Sequence, residues 1–133
     1  MRLPRSAATL AVLAAVLVGA GLRLALMFDR ALNYDEAATG YFAGLSLADL
    51  WGGTGRLETN PPLFYTLTGL LARLGVPAEY FRLAAIGPDV ASIGLAALLA
   101  RRLGGGFAAV AAAWLVATSP LMLDVGVEAR AYA

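Results

Sequence analysis

The feature that most constrains this chain is an apolar run of about 22 residues, 7–28, interrupted by a single charge at Arg23. As a helix the run would be roughly 33 Å long, which matches the hydrocarbon core of a bilayer. Two further apolar runs follow at 83–100 and 107–122. A soluble domain of 133 residues could not bury the surface of a chain with 60% hydrophobic residues and a mean hydropathy of +0.74. We therefore predict an all-α, polytopic transmembrane helix bundle.

The charges that flank these runs predict an orientation. All 10 basic residues are Arg, and the positive-inside rule places those in 1–6 and 101–102 in the cytoplasm. The glycines at 104–106 then form a cytoplasmic turn, and residues 29–81 form a long first extracytoplasmic loop. Abundant Ala, Gly and Arg without Lys is typical of a GC-rich bacterial coding sequence. We expect a multi-pass protein of a bacterial plasma membrane with its N-terminus in the cytoplasm.

The long loop carries its own helix signals. Residues 35–45 suit a short amphipathic helix that Asn33 or Asp35 can cap. Residues 63–75 are apolar but too few to span a bilayer, so we predict an interfacial or re-entrant helix there.

Two ionisable residues fall inside the apolar runs. Arg23 lies near the far end of the first run, where its side chain can snorkel to the lipid headgroups. Asp89 follows Pro88 in the second run, where it can mark the start of the helix, near the positive end of its dipole. We expect both residues to be structural, although an ionisable group at membrane depth is also a functional candidate.

Five polar groups that could carry chemistry gather on the predicted outer face. A carboxylate in a partly desolvated loop can act as a general base on a hydroxyl, and an arginine can bind a phosphate in bidentate fashion. Each group also has a purely structural explanation, such as a helix dipole or an ordinary interfacial ion pair. The five residues are Asp35, Glu36, Asn60, Glu128 and Arg130.

Composition excludes several other classes of site. The sequence contains no Cys and no His, so disulfides, thiolate metal sites and histidine chemistry are absent. A net charge of +1 without a basic cluster argues against nucleic acid as a partner. We expect no metal and no other cofactor.

Five short motifs follow one another along the chain. They are Asp35-Glu36, Asn60-Pro-Pro-Leu-Phe-Tyr, Glu79-Tyr-Phe-Arg-Leu, Arg101-Arg-Leu-Gly-Gly and Glu128-Ala-Arg-Ala-Tyr-Ala. Their order resembles the N-terminal part of family 39 and family 83 glycosyltransferases of the GT-C superfamily, and the resemblance covers nearly the whole chain. These families include protein O-mannosyltransferases and the aminoarabinose transferases of lipid A.

The resemblance implies an enzyme that transfers a sugar from a polyprenyl-phosphate carrier to an acceptor hydroxyl on a glycan, lipid or protein. The transfer is expected on the extracytoplasmic face, with inversion of the anomeric centre and in contact with membrane lipid. Asp35 would act as base on the acceptor hydroxyl or orient it, and Glu36 would be its catalytic partner. Asn60 stands where relatives often carry His or Lys, and Arg130 would bind the carrier phosphate beside Glu128.

The resemblance also assigns a packing role to Tyr132 at that phosphate site. The family has many more spans, so we expect residues 1–133 to be the N-terminal part of a longer glycosyltransferase domain. We expect these residues to be inactive on their own. Two alternatives stay open: a fragment of a transporter or permease, and a small membrane protein without chemistry. The transporter alternative requires charged or Gly/Pro-broken sites at the membrane midplane, and only Pro88-Asp89 offers one.

Overall fold

The computed structural model describes residues 4–29, 31, 33–57 and 62–130, with the backbone alone for 53–57. Within these ranges the secondary structure is helical throughout, without strands, as the composition predicts. A 3₁₀ turn at Ala78–Arg82 runs directly into the longest helix. The six α-helices are α1 (Arg5–Asp29), α2 (Tyr34–Ala43), α3 (Leu47–Leu57), α4 (Pro62–Arg73), α5 (Leu83–Thr118) and α6 (Pro120–Val125).

Helix α5 consists of two arms that fold back on each other at Gly105. This glycine has φ 77° and ψ −162°, which is outside the helical region and accessible to a residue without Cβ. The reversal explains how Arg23 of α1 contacts both Asp89 and Ala117. In a straight helix those two α5 residues would lie about 42 Å apart. The predicted turn at 104–106 is therefore present.

The two arms of α5 and helix α1 pack along faces of small residues. Ala15 of α1 shares a buried cluster with Ile93 and Ala97 of the first arm, and with three alanines of the second. Gly19 shows how close the three segments come, because a Cβ there would meet Ile93 Cδ1 at 2.5 Å and Ala117 Cβ at 3.1 Å. Small side chains at such positions let helix backbones approach closely.

Two helices are long and apolar enough to cross a membrane: α1, and the continuous helical segment that includes α5. Only 22% of the α1 window and 28% of the α5 window is buried, although both are strongly apolar. The core helix of a soluble domain buries most of its apolar surface. The observed helices extend slightly beyond the predicted run 7–28 and beyond 83–100, whereas the third segment ends at Thr118 rather than at residue 122.

We name the two ends of this bundle by what lies there. The turn end holds Gly105 and the start of α1, where a Cβ on Gly106 would lie 3.2 Å from the Cβ of Ala8. The loop end holds α2, α3, α4, the 3₁₀ turn, α6 and residues 126–130. Helix α2 begins at its predicted cap, Asn33, which forms a capping box with Glu36.

The predicted snorkelling of Arg23 and the predicted position of Asp89 at a helix start were wrong, because α5 begins at Leu83, six residues before Asp89. Arg23 does not snorkel, because it is fully buried and its Nε donates to the carboxylate of Asp89. Its Nη1 and Nη2 donate to the carbonyls of Ala117 and Val116, at 3.1 and 3.5 Å. Both carbonyls lie in the last turn of the second arm, and Pro120 offers no N–H to Val116. Arg23 therefore caps that arm, and Asp89 neutralises Arg23.

Candidate functional site

The centre of the loop end is a buried ion pair between Glu36 and Arg82. Arg82 Nε donates to Glu36 Oε1 and its Nη2 to Oε2, each at 2.7 Å, which is a bidentate arrangement. Arg82 also donates to the carbonyls of Met27 and Ala31 at the end of α1. One guanidinium thus joins α1, α2 and the 3₁₀ turn before α5.

The carboxylate of Glu36 accepts two backbone hydrogen bonds in addition to those from Arg82. Asn33 N–H donates to Oε2 at 3.0 Å, and Ala129 N–H donates to Oε1 at 2.9 Å. Burial alone would raise the pKa of Glu36, but the hydrogen bonds from Arg82, Ala129 and Asn33 outweigh it and hold the pKa below its ordinary value. Glu36 is therefore an ionised carboxylate with all its hydrogen bonds inside the protein.

The segment 127–130 is fixed onto α2 by the same network. Thr39 Oγ1 donates to the carbonyl of Ala129 at 2.7 Å, while Glu36 accepts from the N–H of that residue. Val127 and Ala129 are buried, and Ala129 packs with Ala43 and Phe81. Alternate residues of the segment therefore anchor it, and Glu128 and Arg130 remain partly accessible.

This anchoring brings the second predicted motif onto the first. Arg130 Nη1 lies 2.7 Å from Asp35 Oδ2 and 4.0 Å from Glu128 Oε2. We call Asp35, Glu128 and Arg130 the surface triad. Unlike Glu36, the carboxylate of Asp35 is half exposed, so an incoming hydroxyl can reach it. The structure thus brings together four of the six sequence-predicted site residues.

The other two predicted site residues, Asn60 and Tyr132, lie outside the described residues. The nearest described neighbour of Asn60 in the sequence is Pro62, which begins α4. Helix α4 packs against α2 through Tyr65, whose ring centroid lies 4.9 Å from that of Phe42.

The surface triad has the parts that proton transfer and anion binding require. Asp35 supplies a carboxylate that can accept a proton, and Arg130 supplies a guanidinium that can bind a phosphate in place of a carboxylate. Exposed aromatic side chains, Tyr34 and Tyr41, lie on the same helix as Asp35. Among the described residues no group of three or more acidic side chains is placed to hold a metal ion.

Two residues of this network were missed by reasoning from the sequence. The sequence places Arg82 within the motif Glu79-Tyr-Phe-Arg-Leu without predicting a role for it, and it predicts no role for Thr39. The signal for Arg82 was present in its place, because a charge that directly precedes an apolar span has to be solvated or paired. No sequence signal indicated the partner of Thr39, which lies 90 residues away.

Comparisons with protein-family models, with curated proteins and with solved structures found no match.

Proposed function

We propose that the three apolar segments cross a membrane as a polytopic bundle, with the turn end in the cytoplasm and the loop end outside. Arg5, Arg101 and Arg102 are exposed at the turn end, as the positive-inside rule requires. The bundle exposes large apolar side chains over its outer surface, which suits contact with lipid. They include Leu10, Leu13, Leu17, Leu95, Leu98, Leu99, Leu103 and Leu115.

The orientation can be tested by labelling single cysteines, because the native chain contains none. Thr54→Cys and Arg73→Cys should react with a membrane-impermeant maleimide in intact cells. Leu103→Cys, at an exposed position beside the turn, should react only after the membrane is opened. Labelling of Leu103→Cys from outside would contradict the orientation.

We further propose that the loop end is part of a glycosyl-transfer site of the GT-C type, for which polyprenyl-phosphate-linked sugar is the donor. The observation that carries this proposal is the surface triad. It joins the first and the last motif of the resemblance, Asp35-Glu36 and Glu128-Ala-Arg130, although Arg130 follows Asp35 by 95 positions in the sequence. The chain would be the N-terminal part of such an enzyme.

The proposed chemistry assigns one role to each accessible group. The carboxylate of Asp35 accepts the proton of the acceptor hydroxyl as its oxygen attacks the anomeric carbon of the sugar. The bond between that carbon and the phosphate oxygen breaks, and the electron pair leaves with the polyprenyl phosphate. Arg130 stabilises the negative charge of the departing phosphate. Attack opposite the leaving group inverts the anomeric centre.

Glu36 has a positioning role in this proposal rather than a catalytic one. Its hydrogen bonds with Arg82 and with the backbone of Asn33 and Ala129 leave it buried behind the surface triad. Its lowered pKa also makes it a poor proton acceptor at neutral pH. Asp35 is the candidate base.

The test of this function begins with the intact mass of the native protein, which should exceed that of residues 1–133. The complete protein, in native membranes, is then assayed for transfer from polyprenyl-phosphate mannose and from polyprenyl-phosphate aminoarabinose. Asp35→Asn should lower kcat by about 100-fold or more, the range for loss of a general base. The matched control is Asp49→Asn, because Asp49 is another exposed carboxylate near a helix start in the same loop.

Arg130→Lys should raise the KM for the donor, since a lysine cannot reproduce the bidentate contact. Transfer that is unchanged in Asp35→Asn would contradict the role of the base. Absence of transfer from both donors in the complete wild-type protein would contradict the function.

The transporter alternative rests on Asp89, and the structure gives that residue a partner. Asp89 is buried against Arg23, which also caps the second arm of α5. A coupling site needs a carboxylate that can exchange protons or ions as the protein moves. The pairing favours a structural role for Asp89, so we prefer the transferase.

A further inference from the structure

A groove of about 260 Å³ lies between α1 and the first arm of α5 and extends to Arg101 at the turn end, the opposite end of the bundle from the surface triad. Its lining is almost entirely aliphatic. Gly94 leaves room in the wall, because no side chain lies within 4 Å of the position that a Cβ would take there. The residues that form its walls include Val12, Leu13, Val16, Gly94, Leu98 and Arg101.

Arg101 is the charged residue in the lining of the groove, and it lies where the groove reaches the turn end of the bundle. No described acidic side chain forms an ion pair with Arg101. The nearest described carboxylate along the helix is Asp89, about 18 Å away on the helix axis and already paired with Arg23. Thr9, the other polar residue of the lining, donates its hydroxyl to the carbonyl of Arg5 at 3.0 Å.

The charge around the groove has one sign. Arg5 and Arg102 do not line the groove but are exposed at the same end of the bundle, which therefore carries three guanidinium groups. The described acidic residues lie at the loop end or, like Asp89, close to it. A ligand that matches this surface has an apolar chain and an anionic head.

We propose that the groove binds one acyl chain of an anionic phospholipid from the cytoplasmic leaflet, and that Arg101 binds its headgroup phosphate. The proposal rests on the orientation proposed above. The acyl chain replaces bulk lipid along Leu13, Gly94 and Leu98, and the phosphate gains a charge-assisted hydrogen bond. Basic pockets between spans on the cytoplasmic side bind anionic lipids by this combination. The site is separate from the donor site, which lies at the loop end.

The experiment measures lipid binding to the purified protein in detergent, so its outcome does not depend on orientation. Phosphatidylglycerol and phosphatidylcholine with identical acyl chains are titrated, and bound lipid is counted by native mass spectrometry. We expect phosphatidylglycerol to bind more tightly and to raise the Tm. Arg101→Gln should weaken phosphatidylglycerol binding roughly tenfold, because a charge-assisted contact is lost.

Two matched controls distinguish the site from general attraction to a basic surface. Arg102→Gln removes an equally exposed neighbouring charge outside the groove lining and should leave binding within about twofold. Gly94→Leu should fill the groove and abolish the tighter binding of phosphatidylglycerol relative to phosphatidylcholine. Gly87→Leu places the same side chain in open space elsewhere on the same arm and should not change it.

Three results would overturn the proposal. Equal losses in Arg101→Gln and Arg102→Gln would indicate non-specific attraction. Unchanged binding in Gly94→Leu would exclude the groove as the binding site and would mean that the lipid binds elsewhere on the protein. An equal rise in Tm with inorganic phosphate alone would identify a free-anion site. Failure of the orientation is distinguished separately, by the labelling of Leu103→Cys from outside.

Discussion

Two arginine–carboxylate pairs lie side by side at the loop end, and they share a distance but not an environment. Arg82 and Glu36 meet at 2.7 Å with side chains that are 4% and 1% exposed. Arg130 and Asp35 also meet at 2.7 Å, but their side chains are 28% and 49% exposed. Adjacent carboxylates on one helix thus have different environments: Glu36 is buried and joins three segments of the fold, whereas Asp35 stays accessible to solvent.

The reason for the difference is solvation. A buried pair is costly to separate, because the remaining charge has lost both water and partner. An exposed pair loses little when it opens, because water replaces the partner. The exchange of Asp35 for a phosphate that we propose for Arg130 would therefore cost little, whereas separating Arg82 from Glu36 would cost much more. The following predictions test this comparison, in order of decreasing effect.

The largest effect is expected from Arg82→Ala. It leaves the Glu36 carboxylate buried without its cation and frees the carbonyls of Met27 and Ala31, so we expect a loss of about 3–5 kcal/mol in the free energy of unfolding. The measurement is unfolding of the purified protein in detergent. Arg130→Ala is the matched control, with an expected loss below about 1 kcal/mol. Equal losses would refute the comparison.

The second effect is the pH dependence of stability. The pKa of Glu36 lies below its ordinary value of 4.5 in the folded protein, so the unfolded chain takes up the proton first as the pH falls. The stabilisation by Glu36 is therefore complete above the ordinary pKa and is lost as the pH falls through the folded pKa. Unfolding measured between pH 7 and pH 3 should show a smaller acid loss in Glu36→Gln than in the wild type. Parallel curves would contradict the shift.

The third effect concerns the connection between the two pairs. Thr39→Val removes the hydrogen bond to the carbonyl of Ala129 without changing the shape of the side chain much, and we expect a loss of about 1–2 kcal/mol. Thr118→Val is the control, because its exposed hydroxyl bonds only to its own helix at Trp114, and its expected loss is below about 0.5 kcal/mol. If both variants lose equally, the contact with Ala129 does not anchor segment 127–130.

The smallest effect on stability is expected from Asp35→Asn, below about 1 kcal/mol, because the pair with Arg130 is half exposed. The same variant should have the largest effect on sugar transfer among the substitutions outside the buried network. The unfolding curve and the transfer assay on one preparation provide the check. A large loss of stability would place Asp35 with Glu36 as a structural residue.

Much of the fold follows from patterns that are local in the sequence. The apolar run that became α1 was predicted within a few residues of both ends, since helix length and hydropathy are properties of one segment. The cap at Asn33 and the reversal near Gly105 were likewise predicted, because side-chain capping and glycine conformation act within a few residues. The resemblance also singled out Asp35 and Arg130, which the fold places together.

Only the tertiary structure decided which charges are buried and with whom. Asp35 and Glu36 look alike in the sequence, because they are adjacent carboxylates at the start of one helix. Arg82 and Arg23 also look alike, because each is an arginine beside or within an apolar segment. The environments of these four residues depend on partners 46 to 95 residues away in the chain, as in the contacts of Arg82 with Glu36 and of Arg130 with Asp35. Composition indicates that this chain buries few charges, but desolvation depends on neighbours that only the fold brings together. That is why the sequence alone could not separate the accessible carboxylate from the buried one.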